Sequence, residues 1–473
     1  MILNSKLWGT VLPAKVLLAL VIIGALFPQF NRHQFKDAYA YRPPGGKPTL
    51  ASSFATWDTA NYLILSDHGY QAGSSTCAFY PLWPLVLRVG TMTTGGQPLL
   101  AAMLLANALS LVGLCMFYRL VEQHYGPAIS RDSLILLLAF PGALFFSFPY
   151  TESLFLVLLM AFFWGLEREQ WWWTGVAGFL LPLARPVGVF VLLPLAWYFW
   201  ERGWPQWPVL RAGVERVFHA TNAVLRGVPS WVKHAVRMLR IGGSGAERQI
   251  RSGRSAERRQ LEMQNSAAPC RDTATLQVVG SPALRTCFRA TVSQPTCLMR
   301  VSPSPLQQRA PWLLLPWPLL GYVAYFSVIY AWTGNALEGF EAQRTYPYSP
   351  SIKNMFNVAG FTNAFLNIRT LDEMMDSALD RGFFLLFLGL LPAIWKLNKT
   401  WFWYTLPTGL VPAMTSYFMS YRRYTMVLFP LFIVLAQLLA KTGQRWIFWY
   451  CVLLLAAMQA WAVIQFVNIR WAG

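Results

Sequence analysis

Residues 98–118 read PLLAAMLLANALSLVGLCMFY and contain no charged side chain. A helix needs about 20 consecutive apolar residues to cross the hydrocarbon core of a bilayer. The apolar residues follow one another continuously, whereas the strands of a membrane barrel alternate apolar and polar residues. Because a backbone in lipid must satisfy its own hydrogen bonds, this stretch predicts a transmembrane α-helix.

Similar apolar runs recur along the chain of 473 residues, of which 55% are hydrophobic and 12% charged. A soluble domain is about one quarter charged. We therefore predict an all-α polytopic membrane protein, a transmembrane helix bundle of about 11 spans, with the first run retained as a signal-anchor. The two short runs around Arg185-Pro186 could instead be one broken span. The candidate spans are 8–30, 98–118, 133–149, 152–167, 171–184, 186–200, 311–332, 382–396, 400–419, 424–441 and 445–467.

The formal net charge of +19 is concentrated in one segment. Residues 201–310 contain 17 Lys and Arg against 6 Asp and Glu, which is typical of a cytoplasmic loop in a membrane protein. This distribution does not form a basic nucleic-acid-binding face, so we expect no nucleic-acid partner. The predicted parts are an N-terminal transmembrane module, 1–204, with an outer loop, 31–97; a basic, largely disordered cytoplasmic loop, 205–310, with an amphipathic stretch near 214–240; and a C-terminal transmembrane module, 311–473.

The outer loop contains WDTANYLILSDHGY at residues 57–70. If this stretch is helical, Asp58 and Tyr62 share a face, and Trp57 anchors the segment at the membrane interface. A carboxylate at a membrane boundary is costly to keep ionised, and an aspartate in that setting can act as a general base toward a hydroxyl. The alternative is that Asp58 caps a juxtamembrane helix. Asp67 and His68 are further candidate substrate contacts, although a single histidine is more often structural.

Other polar turns fall on the same predicted outer side as Asp58. Glu152 lies in PYTES (149–153) and Arg185 lies in LARPVG (183–188). The pair Arg422-Arg423 precedes the next span, and Arg344 lies in the outer loop 333–381. Basic residues on the outer side oppose the positive-inside bias, so an anionic lipid head group is their expected ligand. The alternative is that they are interfacial side chains that snorkel to the membrane surface.

Residues 78–84, AFYPLWP, form an aromatic and proline-containing run that is too short and too kinked to cross a membrane. Such a run can hold an acyl chain or stack on a sugar, with Tyr80 as the candidate contact. Interfacial anchoring of the chain is an equally weighted alternative.

At these residues the chain resembles the PIG-V-like (GPI mannosyltransferase 2) family. The similar elements are Trp57-Asp58 with Tyr62-Leu63, the run 78–84, YTESLF at 150–155, ARP-x-G at 184–188, and Arg423-Tyr424 with FPL at 429–431. They extend over residues 1–200 and 311–470. The chain departs from the family pattern at Ala184, at 73–77 and in the long basic insertion 205–310. These departures favour a prokaryotic relative and leave the acceptor open.

The resemblance implies an inverting glycosyltransferase of the GT-C type and a GT-C-like helix bundle. The donor would be a polyprenyl- or dolichyl-phosphate sugar, mannose in the family, and the acceptor a glycolipid or glycan on the non-cytoplasmic face. Asp58 would be the catalytic base, and we expect no metal or other cofactor. The localisation implied is a multi-pass position in the prokaryotic plasma membrane, with the endoplasmic reticulum as alternative. The expected substrate-binding residues are Trp57, Tyr62, Asp67, His68, Tyr80, Glu152, Arg185, Arg344, Arg422 and Arg423.

Two other functional classes remain open at this point. A transporter or flippase of lipid-linked sugars would also need outer arginines and polar groups within the membrane. It should show internal repeats and a charged site at the midplane, and neither is visible in the sequence. A membrane scaffold would carry the same polar turns for structural reasons only.

Overall fold

The structure, a computed structural model, describes residues 5–26, 54–202, 311–346, 349–372, 377–468 and 470. Contacts divide the chain into one unit formed by Met1–Arg226 with Trp312–Gly473 and a second unit, Gly227–Pro311. The helices named below belong to the first unit. The predicted amphipathic stretch near 214–240 and the predicted disorder of 205–310 lie outside the described residues.

The described part of the chain is helical, and its one β-type pairing is a single bridge between Thr370 and Ser377. Short 3₁₀ helices, at Ser75–Ala78, Pro141–Phe146 and Pro186–Val191 among others, connect some of the α-helices. The α-helices are α1 (Ser5–Leu26), α2 (Asp58–His68), α3 (Leu82–Thr93), α4 (Pro98–Ala139), α5 (Glu152–Glu167), α6 (Trp171–Ala184), α7 (Leu192–Glu201), α8 (Trp317–Thr333), α9 (Glu338–Gln343), α10 (Val358–Leu366), α11 (Ala378–Leu397), α12 (Lys399–Ser416), α13 (Tyr421–Thr425), α14 (Phe429–Lys441) and α15 (Arg445–Val467).

Three of the described helices, α4, α11 and α15, are long and apolar enough to cross a membrane. Shorter apolar helical stretches occupy Gly9–Ala25, Pro186–Glu201 and Phe429–Lys441. These findings confirm the all-helical, membrane-type architecture. The number of about 11 spans stays a prediction from apolar run lengths.

The range given for α4 contains two helical halves, which meet within the connection expected at 119–132. The first half ends at Gly126, whose φ of +80° and ψ of 171° are not helical, and Pro127 begins the second half. Glycine reaches this backbone conformation without steric cost, and proline suits the first turn of a helix. The Ser130 hydroxyl donates to the carbonyl oxygen of Tyr118 across the bend, at 2.6 Å. The break at Gly126 therefore separates two helical elements, as the sequence predicts.

The aromatic run at 78–84 is more helical than the sequence predicts. It leads directly into the amphipathic helix α3, which buries Trp83 and Leu87 and leaves Leu85 and Val89 exposed. The indole nitrogen of Trp83 donates to the carbonyl oxygen of Pro149 at 3.2 Å. The segment therefore fixes the polar turn at 149–153.

Aromatic rings fill much of the buried core. The ring centroid of Phe429 on α14 lies 5.3 Å from those of Phe163 on α5 and Trp401 on α12, and 6.3 Å from that of Phe117 on α4. Edge-to-face arrangements of this kind add to the free energy gained by apolar burial. Helices from both halves of the chain therefore share one core.

Gly321 lets α8 approach α6 closely. A Cβ atom at this position would lie against the carbonyl oxygen of Phe179, closer than van der Waals contact allows. Small residues allow close backbone approach between membrane helices. We expect Gly321→Ala to lower the free energy of unfolding in detergent by about 1–3 kcal/mol, measured by thermal or denaturant unfolding.

The matched control for this substitution is Gly382→Ala on α11, where nothing lies within 4 Å of an added Cβ. Alanine is the better helix former by about 0.5–1 kcal/mol, so this variant should be unchanged or slightly stabilised. Equal destabilisation by both substitutions would contradict the close packing of α8 on α6.

Candidate active site

Asp58 is the first residue of α2, and its side chain is 27% exposed. The stretch is helical from Asp58 to His68, which is the condition under which Asp58 and Tyr62 share a face. The N-cap residue is Trp57, which makes no side-chain capping bond, so the alternative role of Asp58 as the cap is wrong. Trp57 is half-buried and has a φ of +56°, a left-handed conformation that L-residues rarely adopt. The Asp58 carboxylate instead pairs with a distant arginine.

Four ionisable side chains form a network around that pairing, called here the Asp58 cluster: Asp58, Glu152, Arg185 and Arg423. Arg423 donates from Nη1 to Oδ2 of Asp58 at 2.5 Å and from Nε to Oε1 of Glu152 at 2.7 Å. Arg185 Nη1 lies 2.7 Å from the same Glu152 oxygen. Two carboxylates therefore balance two guanidinium groups, as buried charges require.

The four side chains of the cluster differ in their exposure to solvent. The Glu152 side chain is fully buried, those of Arg185 and Arg423 are 8% and 10% exposed, and Asp58 is the most exposed of the four. Its carboxylate is therefore the member that a substrate can reach.

Three other segments of the chain, besides α2, each contribute one residue to the cluster. Glu152 begins α5, Arg185 follows the end of α6 in an extended conformation, and Arg423 lies in the short helix α13. The structure thus brings together four predicted site residues that are up to 365 positions apart in the chain.

Aromatic rings surround the two arginines. The guanidinium carbon of Arg423 lies 4.7 Å from the ring centroid of Tyr150 and 4.9 Å from that of Phe145. That of Arg185 lies 5.1 Å from the ring of Tyr424. These distances suit cation–π attraction, which is strongest in desolvated sites. Tyr150 could have been inferred from its place beside Glu152, whereas nothing in the local sequence singles out Phe145.

The environment keeps Arg423 charged. Burial by itself lowers the pKa of Arg423, but the carboxylates of Glu152 and Asp58 raise it well above its ordinary value. Burial and the charge of Asp58 raise the pKa of Tyr62, so its phenol stays protonated. The Tyr62 ring packs edge-on against Phe79, with 5.1 Å between centroids, and forms an aromatic wall beside the cluster.

Arg422 has a different environment from its neighbour Arg423. It is fully buried, and its guanidinium donates to both carboxylate oxygens of Asp372, with 2.8 Å between Nη1 and Oδ2. Its backbone N–H donates to Oδ1 of Asp380 at 3.0 Å. The guanidinium is therefore engaged by buried aspartates, and the substrate-binding role expected for Arg422 stays a prediction.

Three non-glycine residues with left-handed backbone angles precede the arginine pair: Tyr417, Phe418 and Ser420, with φ values of 48°, 70° and 57°. Such conformations are energetically costly and persist only where surrounding structure enforces them. The turn at 417–420 is therefore strained, and it directs two adjacent arginines to different partners.

The remaining predicted contacts lie elsewhere. Asp67 and His68 are exposed at the far end of α2, about 14 Å along its axis from Asp58. Arg344 is exposed just after α9. Tyr80 is buried, with its ring stacked on Tyr325 at a centroid distance of 4.5 Å. The structure therefore does not bring Asp67 and His68 to the cluster.

Within the described ranges, no group of three or more His, Cys, Asp or Glu side chains is placed to hold a metal ion. The guanidinium groups of Arg185 and Arg423 are instead the cations beside Asp58. Catalysis without a metal or other cofactor stays a prediction.

A model of the family described as Mannosyltransferase (PIG-V) matches residues 47–201. The matched region contains three members of the Asp58 cluster, and Arg423 comes from outside it. Together with the apolar helices, the match supports a membrane glycosyltransferase. Over these residues the chain is similar to the PIG-V mannosyltransferase family, which supports the resemblance seen in the motifs between residues 57 and 188. The resemblance at Arg423-Tyr424 and 429–431 lies outside the match and stays a prediction. Comparison with curated proteins and with solved structures found no match.

Proposed function

We propose that this glycosyltransferase is an inverting enzyme of the GT-C type. It transfers mannose from a polyprenyl- or dolichyl-phosphate donor to a hydroxyl group of a glycolipid or glycan. The observation that supports this reaction is the partly exposed carboxylate of Asp58 beside two buried guanidinium groups. A base and a cationic site for a departing phosphate are the two groups that the reaction requires.

Asp58 acts as the general base. The acceptor oxygen attacks the anomeric carbon of the donor while its proton passes to a carboxylate oxygen of Asp58. The new bond joins that carbon to the acceptor oxygen, and the bond to the phosphate oxygen breaks. Its electron pair stays on the lipid phosphate. Because attack and departure occur on opposite sides of the anomeric carbon, the configuration inverts.

Arg423 stabilises the negative charge that develops on the phosphate, and the positive charge of Arg185 adds to this stabilisation. Guanidinium groups bind phosphate oxygens with charge-assisted hydrogen bonds. In the structure the Nη1 of Arg423 is bonded to Asp58. A donor phosphate that takes over this N–H group releases a carboxylate oxygen to accept the acceptor proton. We therefore expect the donor to bind before the acceptor.

The aromatic wall beside Asp58 positions the sugar. Tyr62 and Phe79 pack together, and Phe79 also contacts Tyr346 with 6.3 Å between ring centroids. Aromatic faces suit the apolar face of a pyranose ring, and phenolic hydroxyls can bond its polar edge. The half-buried Trp57 lies next to the base and adds a further contact.

The site faces the non-cytoplasmic side of the membrane in this proposal. The basic segment 201–310 favours a cytoplasmic position for the connection after α7, because basic loops remain inside. In this proposal α7, α6 and α5 each cross the membrane in turn, which places Glu152 and the Asp58 cluster outside. We propose the prokaryotic plasma membrane as the location, with the endoplasmic reticulum as the alternative.

The test uses purified protein in lipid nanodiscs with radiolabelled polyprenyl-phosphate mannose and a membrane lipid extract. We expect label to move from the donor to a new product with inverted anomeric configuration. Polyprenyl-phosphate glucose is the matched donor control and should transfer at a lower rate. Absence of transfer from both donors would contradict the proposal. Movement of intact labelled donor across sealed vesicles, without a new product, would favour the transporter.

A further inference from the structure

A cavity of about 450 Å³ lies at the opposite end of α5 from the Asp58 cluster. The helix begins with Glu152 in the cluster and ends with Glu167 at the cavity, so the two sites are about 22 Å apart along its axis. The hydrocarbon core of a bilayer is about 30 Å thick. The cavity therefore lies toward the other membrane surface, which the positions of Lys396 and Lys399 predict to be cytoplasmic.

Two polar atoms at this cavity have no hydrogen-bond partner among the described residues. Glu167 binds His124 through Oε2, at 2.8 Å from Nε2, but its Oε1 is buried and unpaired. The hydroxyl of Tyr198 is likewise buried and unpaired, and this residue is only 9% exposed. Both residues line the cavity. Buried polar groups are normally hydrogen-bonded, so this pair favours binding of a ligand with hydrogen-bond donors.

Two lysines supply positive charge to the same cavity. Lys396 is exposed and makes no ion pair with a described residue. Lys399 lies 3.8 Å from Glu201, a long and exposed contact that contributes little. Its ammonium also lies 5.7 Å from the ring centroid of Trp395. The cavity thus offers cations to an anionic group of a ligand. It also offers a hydrogen-bond acceptor to a donor group of the same ligand.

We propose that this cavity binds the head group of a phospholipid from the cytoplasmic leaflet. Lys396 and Lys399 hold the phosphate, and Glu167 with Tyr198 binds a substituent that donates hydrogen bonds. Ethanolamine and glycerol head groups meet this requirement, whereas choline has no such donor. The volume is within the range of ligand pockets, and Phe163, Leu166 and Leu397 provide apolar lining near the acyl chains. The proposal does not depend on the transferred sugar.

The experiment uses the full chain, delipidated in detergent and supplied with phosphatidylethanolamine, phosphatidylglycerol or phosphatidylcholine of matched acyl chains. Native mass spectrometry measures retained lipid. We expect the first two lipids to be retained at least about fivefold more than phosphatidylcholine, as one added charge-assisted bond would give. Equal retention of all three would overturn the proposal. Equal retention of soluble glycerophosphoethanolamine would show a phosphate-ester site and overturn the lipid assignment.

Variants locate the binding. The double substitution Lys396→Gln with Lys399→Gln should lower retention of both favoured lipids about fivefold, whereas Lys441→Gln, an exposed lysine outside the cavity, should not. Glu167→Gln keeps an acceptor for His124 but loses its charge. It should therefore lower retention of phosphatidylethanolamine more than that of phosphatidylglycerol. An equal effect of Lys441→Gln and the double substitution would overturn the assignment.

Discussion

Asp58→Asn is expected to lower the rate of mannose transfer by about 10²- to 10⁴-fold while the helix bundle stays folded. The amide cannot take the proton of the acceptor hydroxyl, but its oxygen can still accept the hydrogen bond from Arg423. The loss should therefore appear in kcat, with little change in the affinity for the donor. Single-turnover transfer from labelled polyprenyl-phosphate mannose, with donor binding measured separately, tests this split.

Asp67→Asn is the matched control, because Asp67 is a second carboxylate on α2 and lies about 14 Å along the axis from Asp58. We expect its transfer rate to be close to that of the unchanged protein. A similar loss in both variants would mean that α2 depends on its carboxylates as a whole. Full activity of Asp58→Asn would remove Asp58 from the role of base.

Glu152→Gln is expected to lower the free energy of unfolding by about 3–5 kcal/mol, the largest effect on stability that we predict. The Glu152 carboxylate is the shared counter-ion of Arg185 and Arg423, and all three side chains are largely buried. Without its charge, two buried guanidinium groups remain opposite the single carboxylate of Asp58. Denaturant unfolding in detergent, followed by tryptophan fluorescence, measures the change.

A second substitution separates charge balance from simple loss of a contact. Adding Arg185→Met to Glu152→Gln leaves the pair of Asp58 and Arg423, which is neutral overall. We expect this double variant to recover part of the stability lost by the single one, because an unpaired buried charge is removed. A double variant less stable than either single variant would contradict the charge-balance account. Glu341→Gln, at an exposed carboxylate, should change stability by less than about 0.5 kcal/mol.

The single substitution Glu152→Gln should also slow mannose transfer. When Glu152 loses its charge, Arg423 is expected to bind Asp58 more strongly, because that carboxylate becomes its only anionic partner in the cluster. The donor phosphate must then compete for a tighter contact. We expect the apparent affinity for the donor to fall, a change that distinguishes Glu152→Gln from Asp58→Asn.

Several features of the molecule follow from its sequence alone. Long uncharged runs determine that the chain is helical and membrane-embedded, because lipid offers no partner to an unsatisfied backbone. Scarce ionisable residues in apolar surroundings mark the site for the same reason, since each is costly unless it has a partner or a task. Asp58, Glu152, Arg185 and Arg423 could therefore be predicted from the sequence as candidates of one outward-facing site.

Only the tertiary structure decided which of these residues are paired. Arg422 and Arg423 are adjacent and chemically identical, yet one binds Asp372 and the other binds Asp58 and Glu152. Their partners lie up to 365 positions away, and the strained turn at 417–420 directs each guanidinium separately. Local patterns determine helices because their hydrogen bonds join residues four positions apart. Contacts between distant helices depend on how the whole bundle packs, and this packing formed the Asp58 cluster, its aromatic surroundings and the cavity at Glu167.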